Sequence, residues 1–269
     1  MEKLNFTNKA NSYEDTGLVQ KITGNILLNL ADITGFGAVL DLGCGPGGTT
    51  AQIAKMTSGR VVGVDVSGGM IKKANADYAD LANLSFVVKD ACQLDYDNQF
   101  DSIFCNSAFQ WFTDPGPVIE GCWRALKPGG TMAVQAPATS RYCSIFVEAI
   151  DGLANHCESA ATFKHFTSPF FFLDSAREYR DLFTQNGFDV EYCELKFESN
   201  RFTIDEVMDI FKSGAENGYL NQAFYDVVLD SNYIDNCRAI LRRLLQSKVQ
   251  ADDKVDLEFT RVYLKARKS

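Results

Sequence analysis

The sequence predicts an α/β fold in which a mostly parallel sheet is flanked by helices. Five short apolar segments have strand character: residues 38–42, 60–65, 84–88, 100–105 and 131–136. Helical patterns separate these segments along the first half of the chain. Strands that alternate with helices are typical of βαβ units, and such sheets bind ligands at the carboxyl ends of their strands.

The helices of this first half have recognisable limits. We expect helices at about residues 49–56, 69–80 and 118–126. The last of these ends at the Lys127-Pro128-Gly129-Gly130 turn, because proline and glycine interrupt helical structure.

After Pro137 the alternation of strands and helices is interrupted. Residues 139–173 are rich in aromatic side chains and appear irregular, and residues 203–249 are mostly helical. We interpret residues 139–173 and 200–252 as segments of a helical cap over the active site, inserted into a single domain of residues 1–269. Residues 1–30 are expected to form an N-terminal lid helix.

Three further elements complete the predicted fold. A helix over about residues 175–186 has Ser175 as its N-cap and stops at Gly187. Strands are expected at residues 188–197 and 257–266. The predicted sheet therefore has seven strands.

Composition narrows the classes of function. The formal charge of −9 argues against a nucleic-acid partner, since phosphate binding favours basic surfaces. No apolar run approaches the ~18 residues of a membrane span, and the N-terminus does not resemble a signal peptide. The eight cysteines form no CxxC pair, so no metal site is expected. We expect a cytoplasmic protein with no membrane association.

A glycine-rich loop follows the first predicted strand. Gly43, Gly45 and Gly48 match the dinucleotide pattern GxGxxG, in which glycines let the backbone approach a ligand closely. Asp65 ends the next strand, 20 residues after Gly45. An acid at this place accepts hydrogen bonds from ribose hydroxyls, whether the ligand is NAD or S-adenosylmethionine (SAM).

Two acidic positions favour SAM over NAD. Asp41 lies two residues before Gly43, where a carboxylate disfavours a pyrophosphate but suits the ammonium group of SAM. Asp90 and Ala91 follow the third strand and form a second pair suited to the adenine. An NAD-dependent oxidoreductase remains the alternative from another class.

Four motifs together resemble the successive motifs of class I SAM-dependent methyltransferases. They are VLDLGCGPGGTT, GVDVSGGMIKKA, the Asp90-Ala91 pair and the LKPGG turn, all within about residues 38–136. The resemblance implies a Rossmann-like seven-stranded sheet whose last strand is antiparallel. It also implies SAM as cofactor and S-adenosylhomocysteine (SAH) as product. The implied cofactor-binding residues are Asp41, Gly43, Cys44, Gly45, Asp65, Val66, Met70, Asp90, Ala91 and Asn106.

A narrower resemblance concerns the acceptor. The segment from Asn106 to Trp111 and the opening FTNKANSYEDTGLVQKITGNILL are similar to trans-aconitate and malonyl-acyl carrier protein methyltransferases. These enzymes methylate a carboxylate. The resemblance implies that Gln20 and Trp111 position the acceptor, and that Tyr13 and Gln110 contact the substrate. Trp111 and Tyr13 also have an ordinary structural interpretation as packing, and Gln20 has one as a solvated helix position.

The sequence leaves the acceptor open. A carboxylate, with a pKa of roughly 4, is already ionised at neutral pH and needs no general base. This suits a chain in which no catalytic dyad is evident. The acceptor is expected to be a small molecule or a group bound to a carrier protein, and the enzyme a monomer or homodimer. The alternatives are methylation of a non-carboxylate oxygen, nitrogen or carbon, and a SAM-binding regulatory protein without catalysis.

One basic segment allows two interpretations. Residues 236–248 contain Arg238, Arg242, Arg243 and Lys248 and no acid. The segment is either a solvated helix face or a docking patch for an acidic carrier protein or a phosphorylated substrate arm.

Overall fold

The computed structural model describes residues 18–31, 33, 35 and 37–269, and its sheet has seven strands. The strands are β1 (Val39–Leu42), β2 (Val61–Asp65), β3 (Leu84–Val88), β4 (Phe100–Asn106), β5 (Leu126–Pro137), β6 (Phe188–Thr203) and β7 (Lys254–Lys268). Their spatial order is β3-β2-β1-β4-β5-β7-β6. The first five strands are parallel, whereas β7 is antiparallel to both β5 and β6. The predicted seven-stranded sheet with an antiparallel last strand is confirmed.

Helices cover both faces of this sheet. They are α1 (Leu18–Ala31), α2 (Gly48–Met56), α3 (Gly68–Asp77), α4 (Pro115–Ala125), α5 (Ser144–Asn155), α6 (Ala160–Phe163), α7 (Ala176–Gln185), α8 (Ile204–Ser213), α9 (Glu216–Tyr219) and α10 (Ser231–Gln246). On one face, Leu27 of α1 and Ile53 of α2 pack with Val39, Phe104 and Tyr263 of the sheet. On the other, α4 and α7 bury their apolar sides against β4, β5 and β7.

Local sequence signals account for several element limits. All four residues of β1 are buried, as expected for a strand covered on both faces. Ser175 caps α7 by accepting a hydrogen bond from the backbone N–H of Glu178, and Gly187 follows the helix with a φ of 88°. The predicted cap and stop of this helix are confirmed.

The interpretation of residues 139–173 as irregular was wrong in part, because the segment contains α5 and α6. In α5, Phe146, Ile150 and Leu153 are buried at spacings of four and three residues, which is the period of a helix face. The high aromatic content of the surrounding segment obscured this pattern. Helix α5 packs with α8 and α10 in an apolar cluster separate from the two that flank the sheet.

Strands β6 and β7 are longer than predicted and connect the sheet to this cluster. Beyond the part of β7 that pairs with β5, residues 254–260 pair with β6 alone. Val255, Leu257 and Phe259 of this ribbon are buried in the cluster formed with α5, α8 and α10. The ribbon therefore places α5, α8 and α10 at the carboxyl end of the parallel strands. Among the described residues, no helix has both the length and the apolar character needed to cross a bilayer.

Candidate active site

The loop between β1 and α2 has a backbone that requires glycine. Gly43, Gly45 and Gly47 adopt φ values of 74°, 54° and 89°, a region that side chains with a Cβ disfavour. A Cβ on Gly43 would lie 2.4 Å from the Cβ of Ala108, and one on Gly47 would lie 2.6 Å from the ring of Phe86. The loop thus passes close to β4 and leaves its backbone open toward the adjoining cavity.

Asp65 is fixed at the carboxyl end of β2. Its carboxylate accepts hydrogen bonds from the backbone N–H groups of Gly45, at 3.0 Å, and Ser67, at 2.8 Å. Burial raises the pKa of this carboxyl, and the two backbone donors oppose the shift by favouring the charged form. The arrangement holds an acceptor group beside the glycine loop.

A cavity of about 880 Å³ extends from the glycine loop to helices α5 and α8, and the end beside these helices is called its cap end. This volume lies near the upper end of the ~300–1,000 Å³ range of small-molecule sites, so it can hold a nucleoside cofactor and an acceptor together. Nine of the residues predicted from the sequence line it: Gly43, Gly45, Asp65, Val66, Met70, Asp90, Ala91, Gln110 and Trp111.

The structure does not place three other predicted residues in the cavity wall. Asp41 lies in β1, Cys44 lies in the loop and Asn106 ends β4, and none of the three is among the described residues that line the cavity. Asp41 is buried and accepts a hydrogen bond of 2.6 Å from the hydroxyl of Thr50 in α2. Its position indicates that it holds the loop against the helix. Tyr13 lies outside the described residues, and Gln20 lies in α1 with its side chain outside them.

The burial of Asp41 predicts a pH-dependent stability. Desolvation raises its pKa to about 7, against an ordinary value of 3.8, with Thr50 opposing and Asp65 reinforcing the shift. Because the folded pKa is higher, the contribution of Asp41 is fully present below pH ~4 and is lost as pH rises toward 7. We expect wild type to lose about 1.4 kcal/mol per pH unit in this window relative to Asp41→Asn. Denaturant unfolding of both cofactor-free proteins from pH 5 to 8 measures this difference, and a constant difference would contradict it.

Asp90 marks the side of the cavity next to β3. Its carboxylate caps the short 3₁₀ turn Ala91–Gln93 by accepting from the backbone N–H of Cys92 at 2.9 Å. Met70, at the start of α3, is 3% exposed and also lines the cavity. An acidic group and an apolar side chain thus border one end of the cavity, near Asp65.

The segment after β4 forms the middle of the cavity. Ser107 has a φ of 54°, an uncommon backbone state for serine, and is followed by the 3₁₀ turn Phe109–Trp111. Gln110 donates from Nε2 to the carbonyl of Ser107 at 2.8 Å, and its buried Oε1 has no hydrogen-bond partner among the described residues. The ring of Trp111 packs on Phe170, with 4.9 Å between centroids.

The sequence analysis missed most of the cavity wall, including two buried polar residues. Arg261 of β7 is 3% exposed and Tyr142, before α5, is 6% exposed, and both line the cap end of the cavity. One signal was available in the sequence. Phe259, Arg261 and Tyr263 are two residues apart in the strand, so the charged side chain lies on the same face as two aromatic ones. Tyr142 had no comparable signal, because it lies between secondary-structure elements.

The basic segment of α10 is largely neutralised within the cap. Arg238 pairs with Glu216 at 2.9 Å, Arg242 pairs with Asp205, and Lys248 pairs with Glu148 at 2.7 Å. Since three of the four cations have acidic partners on neighbouring elements, the structure favours a solvated face that joins helices. The docking-patch interpretation loses its main support.

Comparisons with known proteins place these features in a family context. Residues 39–130 match the family model described as a methyltransferase domain. The chain is 39% identical over 110 residues to trans-aconitate 2-methyltransferase of Deinococcus radiodurans, covering 40% of this chain and 41% of that protein. It is 29% identical over 134 residues to malonyl-[acyl-carrier protein] O-methyltransferase of Acetivibrio thermocellus, covering 49% and 47%. The matched regions thus span less than half of these relatives.

A solved structure extends the similarity of fold over most of the chain. It is geranyl diphosphate C-methyltransferase of Streptomyces coelicolor A3(2), crystallised with SAH. The match covers 93% of this chain and 81% of the chain of that enzyme. The TM-score is 0.56 and the sequence identity is 15%. The predicted resemblance to methyltransferases of this fold is confirmed.

Proposed function

We propose that this chain, in which residues 39–130 are a methyltransferase domain, transfers a methyl group from SAM to a carboxylate. The carboxylate is carried by a small molecule or by an acyl thioester. The observation that carries the proposal is the continuous cavity, which joins the glycine loop and Asp65 to an aromatic cap. One end suits a charged nucleoside cofactor, and the other suits an acceptor shielded from water.

The residues at the first end fit SAM. Gly43 packs against Ala108, whereas a Cβ on Gly45 would meet nothing within 4 Å, so the loop leaves space beside Gly45 for the methionine part of the cofactor. In this proposal Asp65 accepts from the ribose hydroxyls, Met70 packs against the adenine, and Asp90 with Ala91 faces the adenine amino group. Val66, next to Asp65, is assigned to the same wall. Cys44 and Asn106 are assigned to the part of the site that holds the methionine portion of SAM, where they act through backbone groups or by packing.

The chemistry needs positioning more than proton transfer. Bound SAM would supply an electrophilic methyl carbon to the acceptor oxygen, and the electron pair of the carbon–sulfur bond would return to sulfur. The residues of this chain hold the acceptor in line with that bond and exclude water from it. Because a carboxylate is ionised at neutral pH, no side chain has to remove a proton.

Gln20 and Trp111 are proposed to position the acceptor carboxylate. Trp111 lines the middle of the cavity. Gln20 lies one helical turn before Gly24, and a Cβ on Gly24 would be 3.4 Å from Nδ2 of Asn106. Helix α1 therefore approaches the carboxyl end of β4, which supports the assignment. An amide and an indole N–H donate hydrogen bonds without adding a cation beside the sulfonium. Tyr13 and Gln110 are assigned to the substrate in the same proposal.

A methyl-transfer assay across acceptor classes tests the proposal. The protein is incubated with tritiated SAM and, in separate reactions, mixtures of carboxylic acids, phenols and amines. Transfer to acids alone supports it, and transfer only to phenols or amines contradicts the assignment of the acceptor. Binding of SAH by calorimetry, with no transfer to any class, would point instead to a regulatory SAM-binding protein.

The N-terminal segment is proposed to act as a lid, with residues 139–173 and 200–252 as the cap. Gly24 of α1 lies near Thr49 as well as Asn106, so the helix borders the proposed cofactor site. Lids of this kind exclude water and gain order when ligand binds. We expect amide hydrogen exchange in residues 18–25 to slow when SAH is added, while exchange in α10 stays the same. Unchanged exchange in residues 18–25 would argue against a lid.

A further inference from the structure

The cap end of the cavity contains two buried polar side chains with unused hydrogen-bonding capacity. The hydroxyl of Tyr142 and Nε of Arg261 are both buried, and neither makes a hydrogen bond of good geometry among the described residues, although Tyr142 lies beside the hydroxyl of Tyr219 and Arg261 forms an ion pair with Glu198. Buried polar groups without partners are uncommon and costly in native proteins. Both residues line the same cavity, so a bound molecule is the natural source of the missing partners.

The two side chains are held next to each other by the backbone. The N–H of Thr260, which precedes Arg261, donates to the carbonyl of Tyr142 at 2.8 Å. The ring of Tyr142 stacks on Phe172, and the Arg261 guanidinium lies 4.6 Å from the ring centroid of Phe259. Aromatic packing thus fixes both groups in an apolar surrounding, where a charge-assisted hydrogen bond is strong.

The guanidinium is oriented by two residues of the sheet. Glu198 Oε2 lies 3.1 Å from Arg261 Nε, but not at the angle of a hydrogen bond. The amide oxygen of the buried Gln135 accepts a hydrogen bond from Arg261 Nη1 at 3.2 Å. The amide nitrogen of Gln135 then donates to Asn106 Oδ1 and Ser107 Oγ. These contacts leave hydrogen-bonding capacity on the guanidinium, which carries five N–H donors and stays protonated at neutral pH.

We propose that Arg261 and Tyr142 bind a second anionic group of the acceptor, remote from the atom that is methylated. Both groups are hydrogen-bond donors, a combination that suits a carboxylate. Sheet order places β7 two strands from β4, about 10 Å at the usual strand spacing. A carboxylate at Arg261 is therefore separate from one held beside Trp111, which follows β4.

The cavity wall between Arg261 and Trp111 indicates the chemical character of the middle part of the acceptor. Phe146, Phe170, Phe172 and Ile210 line the cavity at the cap end. The acceptor class is accordingly an elongated acid with an apolar middle and a carboxylate at each end, of which one is methylated. This inference rests on the proposed function for the methylated end, while binding at Arg261 does not depend on turnover.

Calorimetry on the SAH-saturated protein tests the second carboxylate directly. Glutarate, adipate, suberate and sebacate are each compared with their monomethyl esters, which keep the body and remove one charge. We expect the best-fitting diacid to bind at least ~10-fold more tightly than its half-ester. Arg261→Gln should remove this preference and leave SAH affinity unchanged. Tyr142→Phe should reduce the preference by a smaller factor.

Glu198 provides the matched control. Glu198→Gln removes the carboxylate next to Arg261 and should keep or increase the preference for the diacid. The double variant Arg261→Gln with Glu198→Gln leaves no unpaired buried charge, so it should fold and should lack the preference. A purely structural Arg261–Glu198 pair predicts instead that wild type binds diacid and half-ester equally.

Two results overturn the inference: equal binding of diacid and half-ester by wild type, or an undiminished preference in Arg261→Gln. The outcome is separable from the proposed function. Methylation of acids without a diacid preference contradicts only the role of Arg261. Diacid binding that depends on Arg261, without methyl transfer to any acid, contradicts only the proposed reaction.

Discussion

Replacing Asp65 with alanine should weaken SAM binding roughly 10- to 150-fold. Hydrogen bonds to a charged group contribute about 1.5–3 kcal/mol, and the backbone donors Gly45 and Ser67 hold this carboxylate in place before ligand binds. Calorimetric titration with SAM and SAH measures the effect. Both ligands should lose affinity alike, because both carry the same ribose.

Asp209→Ala is the matched control for this experiment. Asp209 lies exposed on α8, and it is not part of the cavity wall. Asp209→Ala changes the net charge by the same amount as Asp65→Ala and should leave SAM affinity unchanged. A folded Asp65→Ala protein with the wild-type dissociation constant would contradict the assignment of the cofactor site.

Loss of either proposed acceptor donor should lower kcat/KM by about 5- to 150-fold. Gln20→Ala removes an amide, and Trp111→Phe removes the indole N–H while keeping an aromatic ring against Phe170. A lost hydrogen bond to a charged group costs around 1–3 kcal/mol of transition-state stabilisation. SAM affinity should hardly change, so the two quantities are measured for each variant.

Trp123→Phe is the control for the tryptophan. The chain has two tryptophans, and the indole of Trp123 donates to the carbonyl of Gly187 at 3.2 Å, outside the cavity. Its substitution should reduce stability slightly and leave kcat/KM intact. Full activity in both Gln20→Ala and Trp111→Phe would remove the support for carboxylate positioning by these residues.

The first half of the site was predictable because its signals are local. Gly43 and Gly45 have the backbone angles that only glycine adopts easily, and Asp65 ends a strand whose apolar run is evident in the sequence. In a parallel sheet, the ends of β1 and β2 must meet at one edge. The local sequence pattern and the fold class were therefore enough to predict that these residues lie together in one site.

The acceptor end was less predictable because it is built from distant parts of the chain. Tyr142 and Arg261 are joined through a backbone hydrogen bond to Thr260, a contact that no local pattern contains. Helix α5 was missed although its pattern is local, because the segment around it is rich in aromatic residues and was interpreted as irregular. The sequence indicated a ligand contact for Asp41 but contained no sign of its burial or of its hydrogen bond to Thr50, which links β1 to α2.

The product of methyl transfer tests the central claim most directly. After reaction of tritiated SAM with the best-bound acid, the product is treated with alkali and its volatile radioactivity is measured. A methyl ester hydrolyses and releases tritiated methanol, so we expect nearly all transferred label to become volatile, and Asp65→Ala to reduce it. Label that stays in an alkali-stable product would contradict methylation of a carboxylate.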